Sequence, residues 1–450
     1  MIDTNLLIGL IISIFFLRWI VIYHLDKRGT LEKYNISTIG PILMIRTLKG
    51  QKFLERIARP KKFWRAFASF GIPLVFISMV SMFALVLYAD VRMLTIPPPP
   101  PGPFSSPLNM LLIPGLNQFI PLVWGLIGLI VTLVVHEFSH AILAKVEGIK
   151  VKSLALLTVI LPIGAGTEID EDELFGPEEK SSKPEKVATS GERVRILSAG
   201  VASNFFIAFV AFALFFGPVM DSIAPQEEGI PIYGVIEGYP AGDSGITEGS
   251  IILKIDDQRT KTLDDFHKAM DKRSPGEEIR IRTNRGEYNV ILAEDPADIT
   301  RGRLGISLSY YSTGESLNAI KSVPSSLTSI KGWLTLYGLP FIFGGFIRDL
   351  NSFYSPVGAA SFLGDGFFWI ANALFWIAWI NFIAGLFNCL PATPLDGGYI
   401  FKEALSKIFG RFTRNGERIT KASNTVANIF GLMIFSSILF TVIWQCMGYL

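Results

Sequence analysis

The sequence predicts a polytopic α-helical membrane protein of about six spans with one small α+β module inserted between them. Three observations lead there. Half of the 450 residues are hydrophobic and 18% are charged, a low charge content for a water-soluble chain. Apolar runs of about 20 residues recur, each long enough to cross a bilayer as a helix. The charge lies in blocks, and residues 226–311 alternate apolar with charged positions, as a folded aqueous module does.

The first span, Asn5 to Tyr23, has no basic segment ahead of it and reads as retained rather than cleaved. It carries Arg18, which can snorkel toward the interface. Basic residues crowd the loop from Lys27 to Arg65 and place it on the cytoplasmic side. Contact with lipid headgroups is a second reading of the same charges. A second span runs from Ala66 to Ala89, followed by a sparsely charged loop whose Pro97–Pro101 run is a stiff connector. The third span, Leu116 to Lys145, returns inward, so its last turns lie toward the cytoplasmic leaflet. Residues 148–167 alternate loosely around Pro162, Gly164 and Gly166, the pattern of a short sheet or re-entrant hairpin. The acidic cluster Glu168 to Glu173 reads as a solvated loop in preference to a second metal site.

A fourth span covers Arg195 to Met220. Within residues 226–311, Tyr233–Ile236, Ile251–Ile255, Glu278–Arg282 and Tyr288–Leu292 read as strands and Leu263 to Lys272 as a short amphipathic helix. Residues 312–366 suit interfacial helices, being only moderately apolar and interrupted by proline and glycine. A fifth span runs from Phe367 to Leu390, and a basic loop then marks the inside again before a sixth span from Val426 to Met447. The division is therefore 1–115, 116–225, 226–311, 312–366, 367–401 and 402–450, with both termini outside. The net charge of +2 offers no footprint for nucleic acid. Two cysteines, Cys389 and Cys446, imply no disulfide framework.

Chemistry concentrates at His136-Glu137-Phe138-Ser139-His140, near the inner end of the third span. Histidines four apart share one helix face and can grip one metal ion. Glu137 between them can take a proton from the water that the metal activates. Ionisable groups in an apolar span are functional by default. A catalytic zinc needs a third protein ligand and one open position. That ligand must be a His, Asp or Glu returning to the same depth. Asp396, in Leu395-Asp396-Gly397-Gly398 at the inner end of the fifth span, is the best candidate; Asp365 lies at the opposite end. Gly397 and Gly398 would let the backbone turn tightly there. Asn204 and Asn388 are polar groups in apolar spans. They either hydrogen-bond an unwound substrate backbone or hold helices together.

This ordered set resembles the site-2 protease family of intramembrane zinc metalloproteases. The matching stretches are His136-Glu137-Phe138-Ser139-His140, Gly200-Val201-Ala202-Ser203-Asn204, and Asn388-Cys389-Leu390-Pro391 followed by Pro394-Leu395-Asp396-Gly397-Gly398. Ser355-Pro356-Val357-Gly358 is similar to a further family element, with Ser355 replacing its first glycine. Gly238-Tyr239-Pro240-Ala241-Gly242 and Gly249-Ser250-Ile251-Ile252 make the module similar to a bacterial PDZ domain. The resemblance runs from Leu116 to Gly398. It implies one Zn2+ per chain held by His136, His140 and Asp396, Glu137 as the catalytic base, and substrate contacts at Asn204, Asn388 and Pro391. It implies cleavage of single-span substrates within the bilayer of a prokaryotic plasma membrane, after trimming by an upstream site-1-type protease. The centre would then lie near the cytoplasmic leaflet, with the PDZ-like module outside filtering substrates or reading a new C-terminus. Two alternatives are a different HExxH membrane peptidase and a non-catalytic membrane scaffold built around the PDZ-like module.

Overall fold

In lipid only a helix or a closed barrel satisfies every backbone N–H and C=O, so the long apolar runs become helices, and proline and glycine mark where they stop. The computed structural model describes residues 4–40, 42–47, 51–102, 105–158, 162–177, 184–346 and 348–448. In chain order the main elements begin with α1 (Thr4–Lys27), β1 (Ile36–Ile39), β2 (Ile42–Thr47), α2 (Lys61–Thr95), α3 (Leu122–Glu147), β3 (Val151–Thr158), β4 (Pro162–Ile169) and α4 (Ser190–Leu214). They continue with β5 (Ile230–Val235), β6 (Ile251–Ile255), β7 (Gln258–Arg259), α5 (Leu263–Met270), β8 (Glu278–Thr283), β9 (Gly286–Ile291) and β10 (Ile306–Leu308). Three helices close the chain: α6 (Gly366–Asn388), α7 (Asp396–Phe409) and α8 (Gly416–Met447).

Among the described residues, five helices have the length and hydropathy of a membrane span: α2, α3, α4 with its continuation to Val219, α6 and α8. Helix α1 covers the first expected span. The chain is an integral, multi-pass membrane protein. Pro121 caps α3, so that helix starts later than its apolar run suggests. Beyond Leu214 the ladder of α4 loosens into a π-helical turn, Phe215–Val219, that contains Pro218, because proline supplies no N–H. Residues 312–366 hold short helices such as Thr313–Lys321 and Ile330–Tyr337 in place of a span.

The chain divides into two compact units, Met1–Phe209 with Ile377–Leu450, and Val210–Trp376. In the first, α2 and α4 approach closely: a Cβ added to Gly71 would sit 2.5 Å from the Ala202 side chain. Val75 and Met79 of α2 pack with Leu197 and Val201 of α4 and with Cys389 and Ile400. The loosely alternating stretch after α3 forms the antiparallel hairpin β3–β4. It does not stand alone: the basic loop supplies β1–β2, giving a four-stranded sheet in the order β1-β2-β3-β4. Arg46 of β2 lies opposite Ala155 of β3, and its Nε donates to Glu168 at 3.1 Å. Part of the basic loop is therefore sheet.

At the end of α3 the Glu147 side chain is fully buried and accepts from Arg65 at 2.9 Å and Arg195 at 2.7 Å. One carboxylate thus ties together α2, α3 and the first turns of α4.

In the second unit a sheet runs β9-β8-β6-β5-β10, with β7 on β6. Strand β8 alternates outward charge with buried Ile279, Ile281 and Thr283. Its core gathers Ile232, Ile252, Phe266, Ile281 and Val290. Helix α5 starts at a capping box in which Thr262 and Asp265 each accept from the other's backbone N–H, worth about 1 kcal/mol. The strands and helix expected for this module are present, each within a few residues of its sequence bounds.

A carboxylate stripped of both its cations inside the protein costs about 3–5 kcal/mol. The double substitution Arg65→Met with Arg195→Met should therefore lower thermal stability in detergent substantially. Adding Glu147→Gln to that pair should recover most of the loss, and an equal or larger loss in the triple variant would assign the cluster no such role.

Candidate metal centre

Helix α3 places His136 and His140 one turn apart, with ring centroids 4.6 Å apart. Both are buried, at 8% and 7% exposure. The third group arrives from far along the chain. After α6 ends at Asn388, a tight loop turns at Ala392 and α7 begins at Asp396. The carboxylate Oδ2 of Asp396 lies 3.1 Å from Nε2 of His136 and 3.3 Å from Nε2 of His140, and the two nitrogens are 3.1 Å apart. Among the described residues this is the group of His, Cys, Asp and Glu side chains that could hold a metal ion.

The triangle fits zinc. With ligands at 2.0–2.1 Å, the edge of a coordination tetrahedron is about 3.3 Å, close to all three separations. Two neutral imidazoles and one carboxylate are also a donor set that zinc accepts. To ligate, the carboxyl must be ionised and each imidazole neutral at the nitrogen that faces the metal.

Each ring nitrogen turned away from the triangle has a neighbour on α4. Nδ1 of His140 lies 2.8 Å from the carbonyl oxygen of Ile196, and Nδ1 of His136 lies 3.1 Å from the side-chain nitrogen of Asn204. Gly200 sits between these two contacts. A Cβ there would come within 2.5 Å of His140 Nε2 and 2.7 Å of His136 Cε1. The stretch from Gly200 to Asn204 therefore makes room for the imidazoles as well as for the packing of α2 at Ala202.

Glu137 is half-buried beside the triangle. Its Oε2 accepts from the backbone N–H of Thr167 at 2.8 Å, and its own carbonyl accepts from the Thr167 hydroxyl at 2.6 Å. Strand β4 thus holds the carboxylate that lies next to the triangle. Thr167 carries no motif, and nothing in a single sequence marks it or the Ile196 carbonyl as part of the site.

Gly397 and Gly398 are not left-handed turn residues. A Cβ on Gly397 would meet the carbonyl oxygen of Cys389 at 2.3 Å, and one on Gly398 would meet the Ala392 carbonyl carbon at 2.4 Å. They let the first turn of α7 lie against the preceding loop, which brings Asp396 to the histidines. Helix α7 is fixed further by Glu403, which accepts from Arg193 of α4 at 2.6 Å.

The other singled-out residues fall in different places. Asn204 is fully buried against His136. Asn388 is half-buried at the last residue of α6, and Pro391 is buried in the loop after it. Both cysteines are free. The acidic cluster is engaged in local structure: Asp170 caps the helix Glu171–Phe175, and Glu173 accepts from the N–H of Lys150 at 2.7 Å.

Substituting Gly200→Ala should cost zinc affinity through displaced imidazoles, although alanine is the better helix former by about 1 kcal/mol. Metal analysis of the purified variant checks this, and wild-type zinc content in a variant of raised thermal stability would contradict it.

Comparison with known proteins agrees with this geometry. The chain is 27% identical to an uncharacterized protein of Methanocaldococcus jannaschii over 99% of its own length and 97% of that protein. It is 25% identical to zinc metalloprotease Rip1 of Mycolicibacterium smegmatis, over 63% of this chain and 84% of that one. It is 23% identical to the regulator of sigma-W protease RasP of Bacillus subtilis, over 56% of this chain and 58% of that one. The family description Peptidase family M50 matches residues 124–435, from the start of α3 to the middle of α8. The match takes in every residue of the triangle together with Glu137, and the chain belongs to peptidase family M50, the site-2 type of zinc metalloprotease.

Proposed function

We propose that this zinc metalloendopeptidase cuts single-span protein substrates inside the bilayer, near the cytoplasmic leaflet. The observation that carries the reading is the buried His136–His140–Asp396 triangle beside Glu137, built in part on an apolar span. Zinc, when bound there, lowers the pKa of a water to about 7 and polarises the scissile carbonyl. The chain's own residues do the rest. Glu137 accepts the proton of the attacking water on its carboxylate and hands it to the departing amine. The Thr167 N–H, 2.8 Å from Oε2, keeps that carboxylate in one orientation between the two transfers. Asn388, at the end of α6, is the amide assigned to the substrate backbone, with Pro391 shaping the loop behind it.

The β-rich unit is read as a PDZ-like module on the outer side. Its cleft, about 350 Å³, lies between α5 and β10 and is lined by Leu263, Phe266, Met270, Ile306 and Leu308. Such a lining suits an extended apolar peptide added along the edge strand β10, which supports a role in admitting trimmed substrates. An upstream protease that exposes the new end fits the same scheme. A non-catalytic scaffold has no use for a carboxylate between two buried imidazoles, so the peptidase reading is preferred.

Two measurements test the chemistry. Glu137→Gln should keep its zinc and lose cleavage of a reconstituted single-span substrate by about 100-fold or more; undiminished cleavage would remove Glu137 as the base. Asp396→Asn should lose zinc at unchanged helix content, and full occupancy would remove Asp396 as a ligand. Orientation is tested separately. In a Cys446→Ser background, a cysteine at the exposed Lys33 should resist an impermeant reagent added outside intact cells, and ready labelling would invert the topology.

A further inference from the structure

We infer that Asn204 is a positioning residue whose side-chain oxygen, not its nitrogen, faces His136 and fixes the tautomer that leaves Nε2 free for the metal. The inference rests on the zinc-site reading given above.

A neutral imidazole carries one proton. If Nε2 is to bind a metal, that proton must sit on Nδ1, where it needs an acceptor. His140 meets this condition without ambiguity, because its Nδ1 lies 2.8 Å from the Ile196 carbonyl oxygen, and a carbonyl only accepts. For His136 the neighbour of Nδ1 is the Asn204 amide nitrogen at 3.1 Å. An amide N–H donating to Nδ1 would drive the ring proton to Nε2. There it would point at Asp396 Oδ2, 3.1 Å away, and block the metal. One ring of the pair would then be set for coordination and the other against it.

The two ends of an asparagine amide are nearly interchangeable in shape, and their order follows from the hydrogen bonds around them. Nothing holds Asn204 in the donating sense, because its Oδ1 is buried and has no hydrogen-bond partner among the described residues. Turning the amide over places Oδ1 on His136 Nδ1–H and gives both histidines the same tautomer. The side chain is fully buried, so no water competes with it for Nδ1. Helix α4 would then supply both orienting acceptors, Ile196 O and Asn204 Oδ1, on either side of Gly200.

The donor and acceptor senses make opposite predictions for Asn204→Asp. A carboxylate accepts and cannot donate when ionised. If the oxygen faces His136, Asp keeps the contact; if the nitrogen does, Asp loses it. Full-length wild type, Asn204→Asp and Asn204→Leu are purified in detergent, checked for helix content and elution volume, and titrated with zinc against a competing chelator. Asn204→Leu, close in size and without polar atoms, should bind zinc about 10- to 100-fold more weakly, while Asn204→Asp should stay within about threefold of wild type or bind more tightly. Equal weakening in both variants, or wild-type affinity in Asn204→Leu, overturns the assignment. Should Asn204→Leu not fold, Asn204→Asp decides alone, since weakened binding in that variant contradicts an accepting role. Asp396→Asn serves as the reference: if wild type binds zinc no better than Asp396→Asn, the metal-site reading itself fails. If those two differ and the Asn204 variants miss the expected pattern, only the present inference fails.

Discussion

Everything near the centre follows from the cost of keeping two imidazoles and a carboxylate out of water. A buried ionisable group persists only if it is paired, hydrogen-bonded or bound to a metal. Here the three donor atoms face one another at 3.1–3.3 Å, and the outer nitrogen of each ring meets α4. The fold is arranged to allow this. Gly200 gives the imidazoles room on α4, and the glycine pair of α7 lets Asp396 approach. The Arg193–Glu403 pair joins α4, which both imidazoles contact, to α7, which carries Asp396.

Much of this was legible in the sequence, and the legible part has a common character. The long spans, the alternation in β8 and the box that starts α5 all depend on spacing along one short stretch, and a stretch carries its own period. His136, Glu137 and His140 belong to this class, being one turn of one helix. Asp396 could be reached because charge placement in the loops put it at a matching depth, an inference about topology and not about contact.

The parts that stayed hidden depend on partners distant in the chain. Strands β1 and β2 sit in a segment whose most visible property is its basic charge, and only pairing with each other and of β2 with β3 makes them sheet. The Thr167 N–H and the Ile196 carbonyl are backbone groups, which a sequence does not set apart from those of neighbouring residues. Gly397 and Gly398 pointed to the right place for a different reason, since a missing Cβ serves close approach as well as a turn. Asn204, read from sequence as a partner for substrate or for a neighbouring helix, lies against an imidazole. A buried amide advertises that it needs a partner without saying which one.

The sheet beside Glu137 has a consequence for what counts as the catalytic core. The family match begins at residue 124, yet strands β1 and β2 come from residues 36–47, well before it. Were that segment cut away, β3 would be left with a row of unpaired amides and carbonyls along one side. Such a row invites another chain to pair there. The strand that holds Glu137 is the direct neighbour of β3. The region likened to other peptidases thus holds only part of the sheet beside Glu137, because two of its four strands come from outside the matched residues.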